Sequence, residues 1–237
     1  MHPPKRIRRL CVVATSTFLL GCATATAAVA PTPIPPPAPP PPRPIPDLEA
    51  GPVPDAIAPD SFIVAVETTK GPIVMQVYRA WAPRGVDRFY NLVHQRFYDS
   101  VAVFRVVPKF VVQFGLAADP RLTALYRRQT ITDDSVVQSN LRGTVTFARG
   151  GPNSRTTQLF INLVDNARLD TSNGFGFPPI GRVIKGMELV DLFSAQYSTN
   201  VPSQDAIVTQ GNKYLVDGFP GLDYILRMRV ETEWKRP

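Results

Sequence analysis

The chain has 237 residues, of which 26 are Lys or Arg and 19 are Asp or Glu, for a formal charge of +7. Both of its cysteines, Cys11 and Cys22, fall within the first 22 residues, and its two histidines are His2 and His94. The body of the chain therefore lacks a disulfide, a thiol nucleophile and any His/Cys cluster suited to a transition metal. Four basic residues, Lys5, Arg6, Arg8 and Arg9, lie in a segment expected to be removed, and without them the charge falls to +3. That charge is too small to argue for nucleic acid, and there is no basic tail or basic-aromatic stripe.

Residues 1–21 read as an export signal, with a charged start and an apolar stretch, Leu10 to Leu20, too short for a stable bilayer span. The stretch ends Leu19-Leu20-Gly21-Cys22, which resembles the lipobox of bacterial lipoproteins. The resemblance implies a diacylated Cys22 at the mature N-terminus, each buried methylene adding about 0.8 kcal/mol of membrane affinity. Ala23 after it resembles outer-membrane-directed forms. Ordinary secretion, with cleavage between Ala23 and Ala28, is the alternative.

Residues 22–60 form a linker, and 14 of the chain's 26 prolines fall between Pro31 and Pro59. Such a tract cannot sit inside a helix or sheet and favours polyproline II. At about 3.1 Å per residue, Pro31 to Pro46 alone would reach roughly 50 Å. A stiff spacer holding a domain off a membrane is one reading, and a ligand for a proline-binding partner is the other.

The folded domain is expected over 61–237. Phe62 to Thr68 and Pro72 to Tyr78 flank Lys70-Gly71, a pattern that predicts a β-hairpin. Pro83 to Gln95 predicts an amphipathic helix, with Val86, Phe89, Leu92 and Val93 on one face and Pro83 in its first turn. Val101 to Gln113 is a dense β-branched run that predicts two short strands turning at Pro108-Lys109. Ala117 to Asn140 reads as irregular and polar. Strands follow near 143–148 and 157–162, with Gly150-Gly151-Pro152-Asn153 as a turn between them. Another strand is expected over Pro179 to Ile184, then a short helix over Met187 to Phe193, a helix over Gln204 to Leu215 and a last strand over Tyr224 to Glu231. Many short strands and few helices argue for an antiparallel barrel or sandwich.

Arg105 is the unusual residue, a permanent charge between Phe104 and Val106, where it costs free energy unless something there uses it. It belongs to a series of motifs: Phe104-Arg105-Val-Val-Pro108-x-Phe110-x-x-Gln113, Arg142-Gly-Thr-Val-x-x-Ala148 and Gly151-Pro-Asn-Ser154-x-x-x-Gln158-x-Phe160-Ile161. With Leu169-Asp170, Ile180-Gly-Arg-Val183 and Gly186 to Asp191, these resemble the cyclophilin-type peptidyl-prolyl isomerases across Ser61 to Glu231. The order and spacing of three separate motifs carry the resemblance. The tail Gln210-Gly-Asn-x-Tyr-Leu215 and Phe219 to Tyr224 resembles the end of a bacterial subgroup. The resemblance implies a mainly β fold, an eight-stranded antiparallel barrel capped by helices, with a groove on one outer face.

Turning an X-Pro bond requires breaking amide conjugation, a barrier of about 18–20 kcal/mol. No covalent bond to the substrate is made, so no nucleophile, metal or cofactor is needed. The requirement is a surface that holds the twisted amide better than either planar form. Arg105 is suited to donate to the prolyl nitrogen as it gains a lone pair, or to support the polarised carbonyl. Phe110, Val111, Phe160 and Leu159 are the apolar candidates for a proline socket, of which the resemblance selects the first three. It also implies that Gln113 orients the guanidinium and binds substrate backbone. Ala148, Arg149 and Gln158 would line the groove for residues before proline, and Phe104 is expected against substrate as well.

Three positions depart from the family. Arg168 stands where Trp is common, Phe177 falls where many members have His, and Arg149 stands where Asn is usual. The first two border the proline pocket, which puts cyclosporin-like ligands in doubt, and the two arginines would favour acidic substrate segments. The expected function is a monomeric, membrane-tethered, extracytoplasmic isomerase acting on X-Pro segments of exported proteins, on the periplasmic face where the source has an outer membrane. A non-catalytic module holding such segments, and an anchor whose stalk recruits partners, are the competing readings.

Overall fold

The computed structural model describes residues 56–235. The expected signal peptide, the Cys22 lipidation site and the linker as far as residue 55 lie outside the described residues.

The first hairpin forms as expected. Strand β1 (Ser61–Thr68) pairs antiparallel with β2 (Gly71–Tyr78), from Ser61 opposite Tyr78 to Thr68 opposite Gly71. Phe62, Val64 and Val66 on one strand and Ile73, Met75 and Val77 on the other all turn into the core. Helix α1 (Pro83–His94) lays Val86, Phe89, Leu92 and Val93 on the same core. Its N-cap residue, Ala82, has no side-chain oxygen to offer the first-turn amides. Asp134, some fifty residues later, supplies one and accepts from the backbone N–H groups of Arg84 at 3.0 Å and Gly85 at 2.9 Å.

The remaining strands are β3 (Val101–Ala102), β4 (Arg105–Val107), β5 (Val111–Phe114), β6 (Thr144–Phe147), β7 (Leu159–Asn162), β8 (Pro179–Lys185) and β9 (Tyr224–Trp234). They form one antiparallel sheet in the order β3-β9-β1-β2-β8-β6-β7-β5-β4. Its two end strands, β3 and β4, are separated in the chain by only Val103 and Phe104, so the sheet must curl back on itself. Irregularities at Ile63/Val64, Val74/Met75 and Val145/Thr146 supply the local twist that such curling needs. The sheet has nine strands rather than eight, because the two-residue β3 pairs with Tyr224 and Ile225 of β9.

Three expectations are corrected. The segment 117–140, read as irregular, contains helix α2 (Pro120–Tyr126), with Asp119 as its N-cap accepting from the Arg121 N–H at 2.9 Å. The helix expected over Gln204 to Leu215 is two helices, α4 (Gln204–Gln210) and α5 (Asn212–Gly218), following α3 (Met187–Val190). The break falls at Gly211, whose φ of 61° and ψ of −148° are open only to glycine. The folded unit also begins before residue 61. The Ala58 N–H donates to Asp87 Oδ1 at 2.9 Å, and Asn91 Nδ2 reaches the Ala56 carbonyl at 2.9 Å.

The main apolar core lies inside the curled sheet and under α1. A second cluster, Ala102, Phe104, Leu116, Ile207, Leu215, Leu222 and Tyr224, fixes α4 and α5 beside β3 and β9.

Candidate active site

Pairing register brings the motif residues together. Arg105 on β4 lies opposite Gln113 on β5, Gln113 opposite Phe160 on β7, and Phe160 opposite Thr146 on β6. With strands roughly 4.8 Å apart, this row spans about 14 Å of the outer face. The alternate residues Val106, Val112, Ile161 and Val145 point inward to the core. Leu159 points inward too and packs in the main core, so it has no part in a proline socket. Phe104, expected against substrate, is 1% exposed and belongs to the second apolar cluster under α4 and α5. Its neighbour Arg105 therefore points outward, as strand alternation requires.

The row carries a continuous chain of hydrogen bonds. Arg105 Nη1 donates to Gln113 Oε1 at 3.0 Å, Gln113 Nε2 to Gln158 Oε1 at 2.9 Å, and Gln158 Nε2 to Gln204 Oε1 at 3.0 Å. Every step has the same donor-to-acceptor sense, so the guanidinium charge polarises each amide in turn. Arg105 forms no ion pair among the described residues, and its remaining N–H groups are free for a ligand. Gln113, Ala148, Arg149, Gly150, Ser154, Thr156, Gln158 and Gln204 line a cleft of about 220 Å³. Gln204, the first residue of α4, was not singled out in the sequence. Ser203 marks a helix start there, but nothing local indicates contact with a residue 46 positions earlier.

At the other end of β5 the surface becomes aromatic. Phe110 is half-buried at the hairpin tip, Val111 follows it, and Phe160 stands on the neighbouring β7 opposite Gln113; the last two are 3% and 5% exposed. The Arg168 guanidinium lies 4.8 Å from the Phe110 ring centre, a cation–π contact. Phe177 meets Phe160 edge-on, with centroids 5.9 Å apart.

A buried polar network supports this notch from beneath. Asn166 Nδ2 donates to the Phe110 carbonyl at 3.0 Å and to Asn162 Oδ1 at 2.8 Å. Asn140 Nδ2 donates to the Phe177 carbonyl and to Asp170 Oδ1, both at 2.8 Å. Burial alone would raise the Asp170 carboxyl, but hydrogen bonds from Ser139 and Asn140 outweigh it and hold the group below the usual carboxylate value. Phe110 and Phe177 are thus held through their main chains, and their rings meet Arg168 and Phe160 respectively.

Arg149 differs from the expectation for it. Although it borders the cleft, its side chain is 3% exposed, donates to Asp133 Oδ2 at 2.8 Å and to the Gly176 carbonyl, and stacks on Phe175 and Phe177. Asp133 also binds Arg155 Nε at 3.1 Å and the Asn153 N–H at 2.8 Å. Arg149 therefore ties the 149–155 turn to the loop carrying Phe177, and its charge is neutralised within the fold.

Residues 63–212 match the family model described as "Cyclophilin type peptidyl-prolyl cis-trans isomerase/CLD". The chain belongs to the cyclophilin-type peptidyl-prolyl cis-trans isomerases. Within the family, this isomerase is 36% identical over 151 residues to peptidyl-prolyl cis-trans isomerase A of Dickeya dadantii, covering 62% of the present chain and 79% of the relative. It is 30% identical over 158 residues to isomerase B of Escherichia coli, covering 62% and 96% of the two chains. Its fold is shared with a cyclophilin-type isomerase of Cryptosporidium parvum at 17% identity, with a TM-score of 0.53 and coverage of 73% and 99%. Membership makes the isomerase an enzyme of X-Pro rotation. The outward row and the aromatic notch are where its chemistry is to be sought.

Proposed function

We infer that this isomerase turns X-Pro bonds in the groove between the Gln158–Gln204 cleft and the Phe110 notch, with Arg105 as the catalytic donor. Proline would sit against Phe110, Val111 and Phe160, and the residues before it would lie along Ala148 and Gln158. Rotation removes conjugation and leaves a lone pair on the prolyl nitrogen. A cation already fixed beside that atom stabilises the twisted amide more than either planar form. Gln113 is the positioning residue: it holds the guanidinium through Oε1 and keeps a second amide N–H for the substrate main chain. The related Cryptosporidium parvum isomerase has been solved in the presence of the dipeptide Ala-Pro, a ligand of the kind inferred for this groove.

The observation that carries the reading is Arg105 bound to an amide rather than a carboxylate, in the strand row that also holds Gln113 and Phe160. Replacing Arg105 by Ala is expected to lower kcat/KM for a proline peptide by about 10²–10³-fold, the usual effect of losing one preorganised donor. Unchanged isomerisation in a correctly folded Arg105→Ala protein would end this assignment.

The location is part of the same inference. The signal-like residues 1–21, the Leu-Leu-Gly-Cys22 sequence and the Pro-rich stretch support an enzyme held outside the cytoplasm by a lipid on Cys22, acting on exported chains. Fatty-acid labelling of the full chain should mark the wild type and not Cys22→Ser, and an unlabelled wild type would leave plain secretion.

A further inference from the structure

The two arginines that replace family residues near the groove have different fates. The Arg149 charge is neutralised by Asp133, and its side chain is buried. Arg168 is exposed and forms no ion pair among the described residues. Nearby carboxylates have other partners: Asp170 binds Ser139 and Asn140, and Asp165 accepts from the Arg142 N–H at 2.8 Å. Lys109, exposed at the hairpin tip next to Phe110, adds charge of the same sign.

Stacking on the Phe110 ring fixes where the Arg168 charge stands. A guanidinium lying on an aromatic face keeps its edge N–H groups outward, in the planar fork that matches a carboxylate. The order of residues along the groove then sets which substrate position meets it. The cleft bordered by Gln158 and Gln204 lies at the Gln113 end of β5, and Phe110 lies three residues away, about 10 Å along the strand. A peptide whose pre-proline residues fill the cleft, and whose proline sits in the notch, leaves past Arg168.

We propose that Arg168 makes this isomerase select X-Pro segments with an acidic residue immediately after proline. The inference rests on the groove assignment above and adds to it a substrate class and a residue that chooses it. Arg168 acts here on specificity, and the donor to the rotating amide remains Arg105.

The test is exchange NMR, which needs no coupling protease, on three peptides differing only after proline: Ala-Pro-Glu, Ala-Pro-Gln and Ala-Pro-Lys, each capped at both ends. For an exposed pair, the expected preference in kcat/KM is about 3-fold for Glu over Gln and nearer 10-fold for Glu over Lys at low ionic strength. The preference should fade by about 0.5 M salt. Arg168→Gln should remove most of the Glu-to-Gln preference, the remainder being that of Lys109, and Arg168→Glu should reverse the order of Glu and Lys. Moving the Glu two residues before proline should remove the dependence on Arg168. Equal turnover of the three peptides by the wild type, or a preference that survives Arg168→Gln undiminished, overturns the proposal while leaving the groove assignment standing. Failure of the wild type to accelerate any of them would instead strike the groove assignment itself.

Discussion

At the scale of single residues, the arrangement separates the role of a charge from that of a hydrogen bond. Gln113 holds Arg105 with a neutral oxygen, so the guanidinium is oriented and keeps its full positive charge for the substrate. Gln113→Leu removes the orienting contact, and kcat/KM should fall by about tenfold, mostly in kcat. Gln113→Glu keeps an oxygen in place but supplies a counter-charge. It should be at least as damaging as Leu, because a neutralised guanidinium stabilises a developing lone pair less well. Wild-type kinetics in the Glu variant would show that the free charge is unnecessary. The same contrast separates Arg149, which serves the fold, from Arg168, whose charge faces solvent.

Elements carry their own dependencies. The α4–α5 break places Gln204 over the cleft and presses Gly211 against the main chain of Ala118, where an added Cβ would stand 2.2 Å from the carbonyl oxygen. Gly211→Ala therefore combines a positive φ with a backbone clash and should cost about 3 kcal/mol. For a domain of this size, that corresponds to a fall in Tm of about 10 °C in a thermal melt. At the other side of the fold, Asp134 both caps α1 and pairs with the fully buried Arg155 at 3.0 Å. Asp134→Ala would leave that guanidinium without this partner and uncap the helix, with a stability loss of about 3–5 kcal/mol in denaturant titration.

For the whole molecule, acid is the revealing condition. Asp99 joins β9 to the turn after α1. Burial would raise its carboxyl, but hydrogen bonds from Arg229 and Arg96 hold it below the usual value. Hydrogen bonds from Ser139 and Asn140 depress Asp170 against burial in the same way, and Arg121 depresses Asp119. A carboxyl depressed in the folded state contributes stability that is complete above its unfolded value, about 3.9. That contribution is lost as pH falls through the lower folded value. The stability difference between wild type and Asp99→Asn should therefore be largest near neutrality and shrink steadily below about pH 4, as followed by chemical denaturation at each pH. A gap independent of pH would mean that Asp99 acts by packing alone.

Much of this was legible from local pattern. The β1–β2 hairpin follows from two strand-forming runs around Lys70-Gly71 and α1 from its periodicity, and the family resemblance of three spaced motifs points to Arg105, Phe110, Gln113, Gln158 and Phe160. Local pattern failed where the deciding partner is distant in sequence. Asp119-Pro120 is a helix start hidden in a polar stretch, and α4 and α5 share one apolar cluster although Gly211 breaks them apart. The loss of Phe104 from the substrate surface to the second core, and the inward turn of Leu159, depend on which face of a strand is outside. Sequence alone therefore determined the family and the candidate residues, since a permanent cation and a set of aromatics at fixed spacing are written in the chain. Only the tertiary structure decided which arginines stay charged toward a ligand, because neutralisation requires a carboxylate within about 4 Å, and the partner can lie sixteen residues away, as Asp133 does from Arg149.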